Sequence, residues 1–283
     1  MELDFKTIVS SYAQITIVLL MLSIGLGEGF RNLSILWQRP SLLVRCLIAS
    51  FVLVPLAAMA IVEIVPMSSA ARIGLGAMAI CPGAPLMYNK LTSMKANTAL
   101  GGSFQTTTSL FAILVVPIWV IILGSLYPNQ ANVSAADVFK QVAIVQLIPI
   151  LVGVVLREWL PNLADELMEP VTKISSFMLV GVVIILLIFA LPPILKVGIF
   201  TVIGVVLFIA ASIVIGHYLG GPEPETRLTI ALANSTRNAG LALALVSLNF
   251  EDPGILPVIA AIALLAFVAG AIYANLYRQN FNN

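Results

Sequence analysis

The sequence predicts an all-α integral membrane protein of nine transmembrane helices, with inverted-topology repeats and two broken helices that cross. Three observations carry that expectation. Of 283 residues, 60% are apolar and 10% are charged, with a mean hydropathy of +1.07, whereas a soluble domain has about 25% charged residues. Apolar stretches recur at lengths that suit a bilayer core, which takes about 20 helical residues. Two of these stretches are interrupted by helix breakers and polar side chains at membrane depth. The 14 basic and 13 acidic residues nearly cancel, which excludes the strong field of a nucleic-acid binder. The runs are also too long, and too free of alternation, for the strands of a β-barrel.

Nine segments meet the length requirement: 8–27, 41–65, 70–94, 97–124, 138–158, 171–192, 195–220, 226–250 and 253–277. Only short loops remain between them, so 1–283 reads as one transmembrane domain. Repeat one covers 8–124, a bridging helix covers 138–158, and repeat two covers 171–277. The first segment is kept as a span rather than a signal peptide. Glu2 and Asp4 outnumber Lys6 ahead of the apolar Ile15–Leu22 stretch, and no small-residue cleavage pattern follows. The third contains Cys81-Pro82-Gly83-Ala84-Pro85, then Tyr88, Asn89 and Lys90. A proline removes a backbone donor and clashes with the preceding turn, so Pro82, Gly83 and Pro85 should break this helix near mid-membrane. In the fourth, Gln105, Thr106, Thr107 and Thr108 can bond across helices. The seventh carries His217, the one histidine, read as a hydrogen-bonded interfacial ring or a proton-coupling group. The eighth contains Asn234-Ser235-Thr236-Arg237-Asn238-Ala239-Gly240. Segments three and eight stand five apart and so cross in opposite directions. Paired interrupted helices in matching halves point to the central site of a transporter.

Short loops on one side hold Arg31, Arg39, Lys90, Lys95, Arg157, Lys173, Arg227 and Arg278, and those on the other hold Lys6, Arg72, Lys140 and Lys196. Cytoplasmic loops carry the excess of basic residues, which puts the N-terminus outside and the C-terminus in the cytoplasm, in the plasma (inner) membrane of a bacterium. Trp37, Trp119, Trp159, Tyr127 and Tyr277 fall near span ends as an interfacial belt. Cys46 and Cys81 lie within spans without metal-ligand spacing and read as small buried hydrophobes. Neither metal nor cofactor is expected. The acids Asp165, Glu166, Glu169, Glu223 and Glu225 read as solvated faces.

From about Leu19 to Tyr273 the chain resembles the bile acid:sodium symporter family, within the superfamily of bile acid, arsenite and auxin-type carriers. The residues that carry the likeness are Gly29-Phe30-Arg31 before Pro40, Ser50-Phe51-Val52-Leu53-Val54-Pro55 and Cys81-Pro82-Gly83. Ala99-Leu100-Gly101 leading to Pro117, and Arg237-Asn238-Ala239-Gly240-Leu241-Ala242, complete the set. The resemblance implies panel and core domains, with the broken helices crossing in the core. It also implies sodium ligands, and these have changed here. The family's Ser-Asn pair aligns with Met87 and Tyr88. Its glutamate and glutamine on the second broken helix align with Ala233 and Arg237. A further glutamine aligns with Ser50, and the serine and threonine ligands with Gly101 and Gln105. Sodium needs hard oxygen ligands, and a fixed guanidinium repels it, so conventional sodium coupling is not expected.

Arg237 has no intramembrane Asp or Glu as an evident partner, and an intramembrane charge is functional by default. It can grip a carboxylate or sulfonate with a bidentate fork, or replace the sodium charge and hold the broken helices by their carbonyls. Asn238 corresponds to a family asparagine near the substrate. Asn234, Thr236 and Asn89 are further substrate-binding candidates, and Lys90 is read as snorkelling to the cytoplasmic interface. The expected function is secondary transport of a small organic anion by alternating access, with the lipid bilayer as partner and with cation or proton coupling open. Two alternatives stand beside it: a sodium-dependent bile-acid-type symporter with rebuilt ion sites, and a transporter-derived membrane sensor or binding protein. Intramembrane catalysis would need a nucleophile–base pair, paired acids or a metal cluster, and the sequence offers none.

Overall fold

Proline and glycine punctuate this chain, and its helices start and stop where they fall. The computed structural model describes residues 5–83, 87–127, 135–194, 198–250, 252 and 254–279. Every element among them is helical. In order these are α1 (Phe5–Trp37), α2 (Pro40–Ile48), α3 (Val54–Ile64), α4 (Ser69–Ile80), α5 (Met87–Ser93), α6 (Thr98–Leu126) and α7 (Ala135–Val142). There follow α8 (Ile148–Trp159), α9 (Pro161–Ile194), α10 (Ile199–Leu219), α11 (Pro224–Ser235), α12 (Ala239–Asn249) and α13 (Ile255–Gln279). Pro40, Pro161 and Pro224 open α2, α9 and α11, where the first N–H has no helical partner to lose. Among the described residues, five stretches are long and apolar enough to cross a membrane: Pro40–Ile64, Thr98–Leu126, Ala136–Trp159, Ile199–Leu219 and Ile255–Gln279. Large apolar side chains point outward from them and their neighbours; Ile64 and Phe177 are each 79% exposed, which suits lipid. The protein is an integral, multi-pass membrane protein.

Two five-residue π turns interrupt the helices, Ala49–Leu53 between α2 and α3 and Ala143–Leu147 between α7 and α8. In the first, the Val54 N–H bonds the Ala49 carbonyl, five residues back. Pro55 has no N–H, so the Ser50 carbonyl is left without a donor from its own helix. Phe51 loses its α-helical donor for the same reason, and Trp119 Nε1 donates to its oxygen at 2.8 Å. The second turn repeats the layout. Ile148 N–H bonds the Ala143 carbonyl, Pro149 follows at the same offset, and the Ile144 carbonyl has no helix donor.

The helix α1 lies against α8 and α9, and runs along α6. Where α1 crosses α8, two glycines meet. A Cβ on Gly25 would sit 2.3 Å from the Ile150 carbonyl oxygen, and one on Gly153 2.6 Å from that of Leu22, so backbone touches backbone. Ile17, Met21, Val145, Ile150 and Val154 form the apolar cluster of this seam. On the α6 side, the Leu36 N–H donates to Ser103 Oγ at 2.9 Å and Trp37 Nε1 to Thr107 Oγ1 at 3.0 Å. The main core joins α3, α4, α6, α10, α12 and α13 through residues such as Val54, Ile73, Val116, Phe208, Leu245 and Ile259.

Between α10 and α11, the exposed Glu223 carboxylate accepts from Thr226 Oγ1 at 2.8 Å and from Arg39 Nη1 at 3.1 Å. Together these hold it below the usual carboxylate range, the threonine hydroxyl contributing most. Asp165 pairs with Arg157, and Glu169 with Lys173. These three acids are exposed, as expected of solvated faces, and each also has a cation. His217 Nδ1 lies 2.8 Å from the Tyr273 hydroxyl, with Tyr218, Tyr273 and Tyr277 set edge-on around its ring.

Candidate functional site: two helix breaks bound to each other

The helix α4 stops because Pro82 cannot donate and keeps the residue before it out of the helical region. Cys81 sits at φ −107°, ψ 80°, and Gly83 turns the chain at φ +76°. A Cβ on Gly83 would meet Thr108 Oγ1 at 2.8 Å and Ser109 Oγ at 3.2 Å, so both the dihedral and the space demand glycine. Pro85 lies outside the described residues. The second break separates α11 from α12 over Thr236, Arg237 and Asn238. Main chain joins the two breaks, the Asn238 N–H donating to the Cys81 carbonyl at 2.8 Å.

Around that bond the structure places most of the expected site residues. Asn238 caps α12, its Oδ1 accepting from the Leu241 N–H at 3.0 Å, and its Nδ2 donates to the Gly83 carbonyl at 3.2 Å. Gln105 Nε2 donates to that same carbonyl at 2.6 Å. Asn234 accepts from Ser50 Oγ at 3.1 Å and donates to the Ser212 carbonyl at 2.9 Å, tying α11 to the first π turn and to α10. Met87 and Ala233 lie in one apolar cluster with Leu91, Leu100 and Phe104. Gly101 belongs to the same wall, since a Cβ there would fall 2.0 Å from Leu91 Cδ1. Tyr88 and Asn89 sit on α5, and their side chains lie outside what the structure describes.

Arg237 is 4% exposed, and its partners are all carbonyls. Nε donates to Met78 at 3.2 Å, Nη1 to Asn234 at 3.5 Å, and Nη2 to Ser50 at 3.0 Å and to Ala79. Met78 and Ala79 lie in the last turn of α4; the Met78 oxygen also accepts the Cys81 N–H at 3.3 Å, whereas no following helical N–H serves that of Ala79. Ser50 is the carbonyl that Pro55 orphans. The guanidinium therefore gathers unpaired oxygens from α4, α11 and the first π turn.

Lys90 departs from the sequence expectation. It does not snorkel: it is 1% exposed, and Nζ donates to Thr236 Oγ1 at 2.9 Å and to the Ala266 carbonyl at 3.0 Å. Thr236 Oγ1 in turn donates to the Leu232 carbonyl at 2.6 Å. A Cβ on Gly270 would lie 2.5 Å from Lys90 Cε and 2.6 Å from Nζ, so that glycine makes room for the lysine. The helix α5 lies beside α11 and α6, and the four-carbon stem reaches Thr236 in the second break. Among the described residues the buried charged side chains are Lys90 and Arg237, and no carboxylate joins them.

Residues 14–191 match the family model described as the Sodium Bile acid symporter family. Over 271 residues the chain is 26% identical to a protein of Oryza sativa subsp. japonica named "Probable sodium/metabolite cotransporter BASS2, chloroplastic", covering 92% of this chain and 62% of that one. Over 177 residues it is 22% identical to the "Uncharacterized sodium-dependent transporter YocS" of Bacillus subtilis (strain 168), covering 62% of this chain and 54% of that one. The chain thus spans less than two thirds of the length of either curated relative.

Proposed function

The chain belongs to the Sodium Bile acid symporter family, and from that membership we propose that it is a secondary carrier of a small organic anion, working by alternating access without conventional sodium coupling. One observation carries the reading: two buried cations and no buried carboxylate among the described residues. Uncompensated charge in a membrane interior is costly, and an anion is the ligand that balances it. Arg237 already bonds four carbonyls. Lys90 bonds two neutral acceptors and has a third N–H to offer, so Lys90 is the better anion contact and Arg237 the fixed cation. The guanidinium sits among oxygens of the kind that coordinate sodium, while Met87 and Ala233, at aligned ligand positions, supply none.

Nine spans in two inverted blocks around the α4–α5 and α11–α12 breaks form part of this reading, with the N-terminus outside and the C-terminus cytoplasmic. Reporter fusions at Gln130 and Glu166 should then mark opposite faces. The coupling is tested by thermal stability of the purified protein. Sodium should give no shift beyond that of potassium at equal ionic strength, whereas organic carboxylates should stabilise beyond chloride. A saturable, sodium-specific shift in the millimolar range would favour the second reading, a sodium-dependent symporter with rebuilt ion sites. That reading draws support from the word "sodium" in the names of both relatives.

A further inference from the structure

Gln146 is the fourth residue of the π turn between α7 and α8. It is fully buried, and neither Nε2 nor Oε1 has a hydrogen-bond partner. Buried amides are nearly always paired, so a side chain with both ends unmet calls for an explanation. π turns of this kind recur at functional positions. The first π turn has the same layout, with proline two residues beyond it, and there the Arg237 guanidinium reaches the freed Ser50 carbonyl. At the second turn Pro149 frees the Ile144 carbonyl in the same way, and the nearby amide of Gln146 is unmet.

Its surroundings lead to the helix breaks. The π turn packs against both α1 and α6. On α1, Ile17 shares an apolar cluster with Val145, and it also lies against Gly240, where a Cβ would be 2.6 Å from its Cδ1. Gly240 is two residues beyond Asn238. On α6, Gln105 Oε1 and, one turn on, Ser109 Oγ are buried without partners as well. The orientation of the Gln105 amide is fixed by chemistry, because the Gly83 carbonyl can only accept and so takes Nε2.

We propose that Gln146 binds the transported substrate through a hydroxyl or amide group separate from its anionic end. The protein thereby selects hydroxylated or amide-bearing small organic anions over plain carboxylates. The choice of class follows from the unmet groups. Carboxylate oxygens only accept, so they cannot satisfy the oxygens of Gln146 and Gln105; a hydroxyl or carboxamide both donates and accepts. The proposal rests on the anion-carrier reading above and adds a second point of contact to it.

The test uses acid pairs that differ by one hydroxyl, lactate against propionate and malate against succinate, titrated calorimetrically into the purified full chain. Wild type should bind a hydroxylated acid roughly tenfold more tightly than its partner, because the deoxy acid leaves the amide unpaired. Gln146→Leu and Gln146→Met should keep the affinity for the deoxy acid and reduce the preference to within about twofold. Both variants should melt at or above the wild-type temperature, since each removes a buried amide without partners. Absence of a preference in wild type, its persistence in the variants, or variants that melt several degrees lower would each overturn the proposal and leave the carrier reading intact. Binding of no acid of either kind would overturn both.

Discussion

Lys90 reaches across from the first interrupted helix to the second, its Nζ donating to the Thr236 hydroxyl at 2.9 Å beside a glycine, Gly270, that leaves it room. If this ammonium holds the substrate's anion, Lys90→Met should weaken anion binding by roughly ten- to hundredfold, the worth of a charge-assisted hydrogen bond. Folding should be nearly unaffected, because the change removes a buried charge that has no carboxylate partner. Gly270→Ala should reproduce the loss with the lysine still present, by pushing its flexible end away from Thr236. Its effect on stability should stay within about 1 kcal/mol. Titration of the purified variants with carboxylates, alongside thermal melts, separates these outcomes.

Arg237→Ala should destabilise the protein by about 3 kcal/mol or more, because the Ser50, Ala79 and Asn234 carbonyls, from three elements, lose their donor. A stable Arg237→Ala protein would mean that the guanidinium is not structural. The double variant Ala233→Glu/Arg237→Gln restores the carboxylate and amide of the aligned family positions. It should acquire a sodium-specific rise in melting temperature that the parent protein lacks.

Gly83→Ala forces a Cβ into a left-handed conformation and to 2.8 Å from Thr108 Oγ1. It should cost about 2 kcal/mol or more. Adding Thr108→Ala should recover the steric part alone, leaving the dihedral penalty of about 1 kcal/mol in place. Melting of the single and double variants gives the partition.

Trp119→Phe keeps the ring and removes the N–H that serves the Phe51 carbonyl. The expected loss is about 1–2 kcal/mol, the penalty for an orphaned buried acceptor. Pro55→Ala in the same background should offset part of it by returning a helical donor at position 55. Paired thermal melts would show that coupling.

Sequence pattern reaches some of this architecture and not the rest, for physical reasons. Pro82 and the polar run Asn234–Gly240 announce their breaks, because a missing N–H and competing side-chain bonds act locally. The carbonyl cage of Arg237 could be guessed as one of two roles from the absence of acids, but its members Ser50, Met78 and Ala79 come from elements more than 150 residues away. Lys90 reads as a snorkelling lysine because its partners, Thr236 and Ala266, lie about 150 residues or more along the chain. Gln146 is a lone glutamine in an apolar run three residues before Pro149. Its lack of partners is a property of packing, invisible along the chain.

The meeting of Gly25 with Gly153 makes α1 a lever. With no side chains between the two backbones, the crossing would serve as a pivot about which α1 could tilt. Ile17 lies about 12 Å to one side of the crossing and Trp37 about 18 Å to the other, at 1.5 Å of rise per residue. A tilt of about 5° would then carry Ile17 roughly 1 Å and Trp37 roughly 1.6 Å, in opposite directions. The first displacement acts on Gly240 beside the second break, and the second on the Thr107 hydroxyl of α6. One small rotation at a pair of glycines would thus shift both contacts at once.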